Sequence, residues 1–209
     1  MKYEWRKQEK AHYNTRQQPQ LLTIPAQTFI TLHGTGDPNQ SAFQGQLQTL
    51  YPAAYGIKNA YKQYAQNQPV EFDDYVVFPL EGVWSLTAKG QQLKYLDKNE
   101  LSYDVMIRIP EFVPIDLIAP ALAAVKMKKQ VPTDQIKVQR YETMQVAQIL
   151  HLGPFDDEPA SFARLDQLVA SQNYHRVSKV HREIYLSDTR RVSPAKLKTI
   201  LRYQVAANE

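Results

Sequence analysis

The pattern FITLHGTGDPNQSAF at residues 29–43 returns in altered form as AQILHLGPFDDEPASF at residues 147–162. In both, an apolar run ends in histidine and glycine, and a phenylalanine follows nine residues after a glycine: Gly34 to Phe43 and Gly153 to Phe162. His33 and His151 close the two runs. Each copy leads into a helical pattern and then two strand patterns, so the chain reads as two βαββ units. That restart constrains the fold more than any other feature. Two such units predict an α+β protein with a pseudo-two-fold layout, helices covering one face of the sheets and the other face left to form a central cavity. The expected organisation is a single domain over residues 1–209. It has a polar lead-in at 1–20, a first half over about 21–130 and a second over about 131–209.

Local patterns fill in the units. TFITLHG, LSYDVMIRIP, ETMQVAQILHLG, KVHREIYLSD and KLKTILRYQV read as strands. Phe43, Leu47, Leu50 and Ala54 recur at helical spacing, in a helix that Pro52 is expected to kink or split. DDYVVFPLEGVWSLTA reads as two short strands around a turn at Glu81–Gly82. PIDLIAPALAAVKMKK reads as an amphipathic helix interrupted by Pro120, and DEPASFARLDQLVAS as the helix of the second unit.

Composition narrows the function classes. Hydrophobic residues are 43% and charged residues 22% of the 209, as in soluble globular domains. The net charge of +4 is spread along the chain without a basic run, which argues against a nucleic-acid partner. No apolar run is long enough for a bilayer span and the N-terminus lacks a secretory core, so a cytoplasmic protein without a membrane partner is expected. With no cysteine, disulfides, thiol nucleophiles and cysteine-ligated metals are excluded. Tyrosine, at 13, outnumbers phenylalanine, at 7. A buried phenol packs like an apolar group but needs a hydrogen-bond partner, so this bias suits a half-polar cavity.

Several familiar chemistries are disfavoured. The five histidines form no HxxxH or HxH pair, so no metal is expected. HGTGDPN lacks the spacing of a nucleotide loop, and Ser41, Ser161 and Ser187 lack a GxSxG context. No helix-turn-helix is visible.

HREIY at 181–185 is the stretch with chemical content. Its alternation sets His181, Glu183 and Tyr185 on one strand face and Arg182 and Ile184 on the other. An acid on a half-apolar strand is either an exposed residue paired with a cation, such as Arg182, Arg190 or Arg191, or the floor of a pocket. In the pocket reading Glu183 and Tyr185 face the cavity, and Ile184 and Leu186 pack beneath helices.

Six segments carry a resemblance: MKYEWRK, LYPAAYGIK, FPLEGVW, DVMIRIPEFV, EPASF, and KVHREIYLSD through LKTILRY. Together and in order, they resemble the stand-alone GyrI-like small-molecule-binding proteins, which are similar to the ligand domains of multidrug-responsive transcription activators. The resemblance implies βαββ units around a cavity with a deep acid. It also implies one of two activities: hydrolysis of cyclopropane-containing electrophilic genotoxins, or binding of lipophilic or cationic drugs. The family's acid falls on Glu183, and its pocket aromatics fall on Tyr55 and Trp84. The apolar, proline-bearing PIDLIAPALAAVKMKK departs from the charged helix of similar proteins.

The resulting expectation is a cofactor-independent hydrolase that detoxifies a strained electrophile. Glu183 serves as general base and Tyr55 as donor to the oxygen that gains charge. Trp84, opposite the space left by Gly82, stacks on a planar ligand, with Tyr103 and Tyr185 as further wall residues. The alternative is a non-catalytic binder or sensor, with Glu183 as counter-ion in an aromatic cage. The partner is a lipophilic planar or cationic small molecule, bound by a monomer or homodimer. A regulatory protein partner is a third reading, and haem carriage lacks an identifiable axial ligand.

Overall fold

The computed structural model describes residues 1–13, 16–188 and 191–208, and Arg190 lies outside them. In chain order the elements are β1 (Lys2–Tyr3), α1 (Trp5–Gln8), β2 (Gln20–Ile24), β3 (Gln27–Thr35), α2 (Ser41–Ala65), β4 (Asp74–Tyr75), β5 (Leu80–Leu86), β6 (Leu101–Ile109), α3 (Ile118–Lys129), β7 (Lys137–Tyr141), β8 (Met144–Leu152), α4 (Glu158–Ser171), β9 (Tyr174–Arg176), β10 (His181–Tyr185) and β11 (Lys198–Ala207). The mixture of helices with antiparallel sheet is the α+β class expected.

The chain forms two compact units, and they interleave in sequence. The first comprises residues 1–10, 27–78 and 86–141; the second comprises 11–26, 79–85 and 142–209. In the first, β3 pairs antiparallel with both β6 and β7. In the second, β8 pairs antiparallel with both β2 and β11, and β10 lies antiparallel to β11 and β5. Each unit therefore has a strand, a helix, and a returning strand paired to the first. We propose that this shared layout records a duplication.

In the first unit α2 runs unbroken through Pro52. Proline therefore does not split this helix; Leu50, Ala53, Ala54 and Ile57 are all buried around it and hold the turn by packing. Pro120 does not interrupt α3 either, because it falls in the first turn, where a backbone N–H has no intrahelical acceptor. Ile118, Ala121 and Val125 form the buried stripe of α3.

The second unit builds its core between one sheet face and α4. Ala147 and Ile149 of β8, Leu201, Tyr203 and Val205 of β11, and Leu165 and Val169 of α4 form a buried cluster. Glu158, Ser161, Leu165 and Val169 are buried along α4 at spacings of three and four, so one helical stripe faces the sheet. The opposite sheet face is polar as well as apolar. There Arg202 donates to Gln148 Oε1 at 2.7 Å and to the His12 carbonyl, and Gln148 donates to the Ala11 carbonyl at 3.1 Å. The second half of the lead-in, from residue 11 on, is thus part of this unit's structure.

Candidate functional site

The cluster lies within the second unit, where β10 is sandwiched between β11 and β5. Glu183 is directly opposite Leu201 on one side and Gly82 on the other, and His181 is opposite Trp84. Directly opposed residues of antiparallel strands share a face. Glu183 therefore shares its face with Leu201 and the core beneath α4. The expectation that Ile184 packs under helices while Glu183 faces the uncovered side is corrected: α4 covers the Glu183 face. Arg182 is on the other face, where it donates to Glu81 Oε2 at 3.4 Å. It does not pair with Glu183.

A directed chain of hydrogen bonds ends on Glu183. Trp84 Nε1 donates to the Tyr185 hydroxyl at 2.9 Å, and that hydroxyl donates to Glu183 Oε2 at 2.8 Å. An indole can only donate, so the tyrosine proton must point at the carboxylate. His181 Nε2 lies 3.2 Å from Glu183 Oε1. Glu183 is only 8% exposed, yet both of its oxygens are engaged. Burial first, and then the Glu183 charge, raise the Tyr185 phenol well above its ordinary pKa, so it holds its proton.

A residue without a role in the sequence reading completes the cluster. Glu158, the first residue of α4, is 7% exposed, and its Oε1 has no hydrogen-bond partner. Burial, then the Glu183 charge, then that of Asp156, push its carboxyl up to about 9, so it carries a proton at neutral pH. The signal available in the sequence was EPASF, an acid at the head of an amphipathic helix. What α4 would meet there was not visible.

Local chemistry seats Glu158. Gly153, at φ +126°, allows the chain to turn out of β8. His151 Nε2 lies 3.0 Å from the Pro154 carbonyl, which can only accept, so this nitrogen carries the hydrogen. His151 Nδ1 lies within hydrogen-bond distance of the Ser161 hydroxyl, at 2.9 Å. One imidazole thus ties the turn to the first turns of α4. His33 plays a different part, pairing with Asp104 at 2.9 Å on the surface of the first unit.

Aromatic rings flank the polar groups. Phe155 meets Tyr185 edge-on with centroids 6.1 Å apart, and Phe162 meets His181 edge-on at 5.1 Å. Gly82 is not a turn residue; it sits inside β5, opposite Glu183. A Cβ there would lie 2.6 Å from Trp84 Nε1 and 3.0 Å from the Tyr185 hydroxyl. The space above Gly82 is therefore filled by the Trp84–Tyr185 pair and is not left for a planar ligand.

The other sequence candidates lie in the first unit. Tyr55 is 53% exposed on α2. Tyr103 is buried with its ring over Gly34, where a Cβ would come within 2.5 Å of it, and against Phe43 at 5.4 Å.

Donor atoms of Glu158, His181 and Glu183 lie within 4.8 Å of one another, close enough for a small cation to bridge. Hydrogen bonds already engage His181 and both Glu183 oxygens, so a proton on Glu158 meets the same electrostatic need. One consequence is measurable. Glu158 binds its proton more tightly folded than unfolded, so its contribution is complete below the unfolded carboxyl pKa and is lost as pH rises through about 9. A pKa unit corresponds to about 1.4 kcal/mol. Even a two-unit difference would lower Tm by about 5–10 °C between pH 5 and pH 9 in a chain of this size. Thermal unfolding of wild type and Glu158→Gln across that range checks this, and the variant is expected to show a flatter profile.

A family model for the GyrI-like small molecule binding domain matches residues 17–205, and the chain belongs to that family. A hydrolase from Listeria innocua is similar in structure, at 30% identity and TM-score 0.82, with 98% of this chain and all of that one covered. A second structure of a Listeria innocua hydrolase, also 30% identical, covers 99% of this chain and all of its own at TM-score 0.85. The EcmrR C-terminal domain shares the fold at 14% identity and TM-score 0.53, over 91% of this chain and 98% of that one. No curated protein sequence matches the chain. Among the described residues no helix is long and apolar enough to cross a membrane.

Proposed function

We propose that this protein is a hydrolase of strained, cyclopropane-bearing small electrophiles, working in the cytoplasm without a cofactor, and that Glu183 is its general base. The observation that carries this reading is the hydrogen-bond chain Trp84–Tyr185–Glu183, which orients a buried carboxylate beside aromatic rings. Two 30%-identical neighbours named as hydrolases support it. In the reaction a water oxygen bonds to a ring carbon while Glu183 takes the water proton. The strained carbon–carbon bond breaks, and its electron pair flows to a conjugated carbonyl oxygen, which is then protonated. Orientation of water against the ring, in a site with little bulk solvent, lowers the barrier.

A second reading has its own support. Glu183 among Phe155, Phe162, Trp84 and Tyr185 is also an arrangement that attracts a lipophilic cation. Product analysis separates the two. Incubation with an electrophilic cyclopropane is expected to release the ring-opened adduct of water, identified by mass and by oxygen-18 uptake from labelled water. Ligand returned unchanged, together with tight binding of a lipophilic cation, would establish the binder instead.

A further inference from the structure

We propose that Glu158 is the second catalytic carboxyl of this site: it gives its proton to the substrate oxygen that collects charge, while ionised Glu183 takes one from water. The role rests on the hydrolase reading above. Three geometric facts carry it. Glu158 is buried and its Oε1 has no partner, so it is a polar atom held out of water with a bond left to make. Its donor atom lies within 4.8 Å of those of Glu183 and His181. It is fixed there by the His151–Ser161 tie and by its place at the head of α4.

The two carboxyls have different surroundings, and that difference separates their roles. Glu183 accepts a hydrogen bond from Tyr185 and lies within bonding distance of His181, so both of its oxygens already act as acceptors. Glu158 faces Glu183 and Asp156 with no bond to Oε1, which favours its protonated form. Tyr185, the other proton-bearing group nearby, is bound at both ends. A carboxyl held protonated beside one that accepts hydrogen bonds is an arrangement suited to paired acid–base catalysis.

The step balances. Water's oxygen bonds to the ring carbon and its proton goes to Glu183. The ring bond breaks towards the carbonyl carbon, and the resulting enolate oxygen takes the Glu158 proton. A proton then passes from Glu183 back to Glu158 by way of solvent as the product leaves, and the enol becomes the ketone. The net change is addition of one water. The closeness of the two carboxyls also selects the substrate. The attacked carbon and the charge-collecting oxygen must lie near each other, as in a cyclopropane bearing its carbonyl directly on the ring, where they are three bonds apart.

The test uses a cyclopropyl ketone and the full chain. For wild type, kcat/KM against pH is expected to be bell-shaped. Glu158→Gln should lower kcat by about 10²–10⁴-fold with little change in KM, and should lose the alkaline limb. Glu158→Asp, which keeps a carboxyl, should retain part of the rate. Infrared difference spectra give a readout independent of turnover. A protonated-carboxyl band should be present at pH 7 in wild type and in Glu183→Gln, and absent from Glu158→Gln. If that band is missing from wild type, or if Glu158→Gln keeps the alkaline limb, the role assigned to Glu158 is overturned while the hydrolase reading stands. If the band is present but no electrophile is turned over, the hydrolase reading fails and this role with it. Loss of turnover on adding a chelator would overturn the role in favour of a cation at the cluster.

Discussion

Glu183→Gln is expected to reduce turnover of a cyclopropane-bearing electrophile by about 10²–10⁴-fold, the usual contribution of a positioned general base. The substitution keeps the side chain's size and one oxygen, which can still accept from Tyr185, so the network that seats residue 183 persists. What is removed is the negative charge and the basic lone pair. Binding of a neutral planar ligand is expected to change little. The pattern of a fallen kcat with a steady dissociation constant marks an interaction made only in the transition state. A cation binder gives the opposite pattern, since affinity for a lipophilic cation would drop and neutral ligands would persist. Turnover and affinity are therefore measured together, for wild type and variant. Undiminished turnover in Glu183→Gln would remove Glu183 from the mechanism.

Leu165→Ala is expected to destabilise the protein by about 2–5 kcal/mol, the range for deleting a fully buried leucine side chain where the surroundings cannot close the void. Leu165 is completely buried in the cluster between α4 and the sheet face of Ala147, Ile149 and Leu201. Tm should fall by roughly 2–4 °C for each kcal/mol lost. The same helix carries Glu158 at its head, so loosening its seat should also lower the rate through misplacement of that carboxyl. Gln167→Ala, on the exposed side of α4, is the control and should change neither quantity appreciably. Equal stability of the two variants would show that α4 is not held by this cluster.

Some of this molecule was legible from the order of its residues alone. Successive strand side chains must alternate, so HREIY could only put His181, Glu183 and Tyr185 together, and it does so in β10. Helical spacing likewise set α2 and α4. Short strands without a strong alternation, such as β2 and β7, left no such signal. These successes concern periodicity, which is a property of the backbone and acts over a few residues.

Tertiary structure decided the rest, because register and burial depend on segments far apart in sequence. Pairing of β10 with β5 set Gly82 opposite Glu183 and let Trp84 fold over it, where the sequence suggested a turn and an open space. The docking of α4 chose which face of the sheet it covers, and so brought Glu158 against Glu183. Tyr55 and Tyr103 illustrate the same limit, since both were candidate pocket walls and one became an exposed helix residue, the other a buried strand residue. The unusual protonation of Glu158 arises only there. Neither its neighbours in the chain nor its residue type raises a carboxyl pKa to about 9; loss of water and a second acid supplied by another strand do.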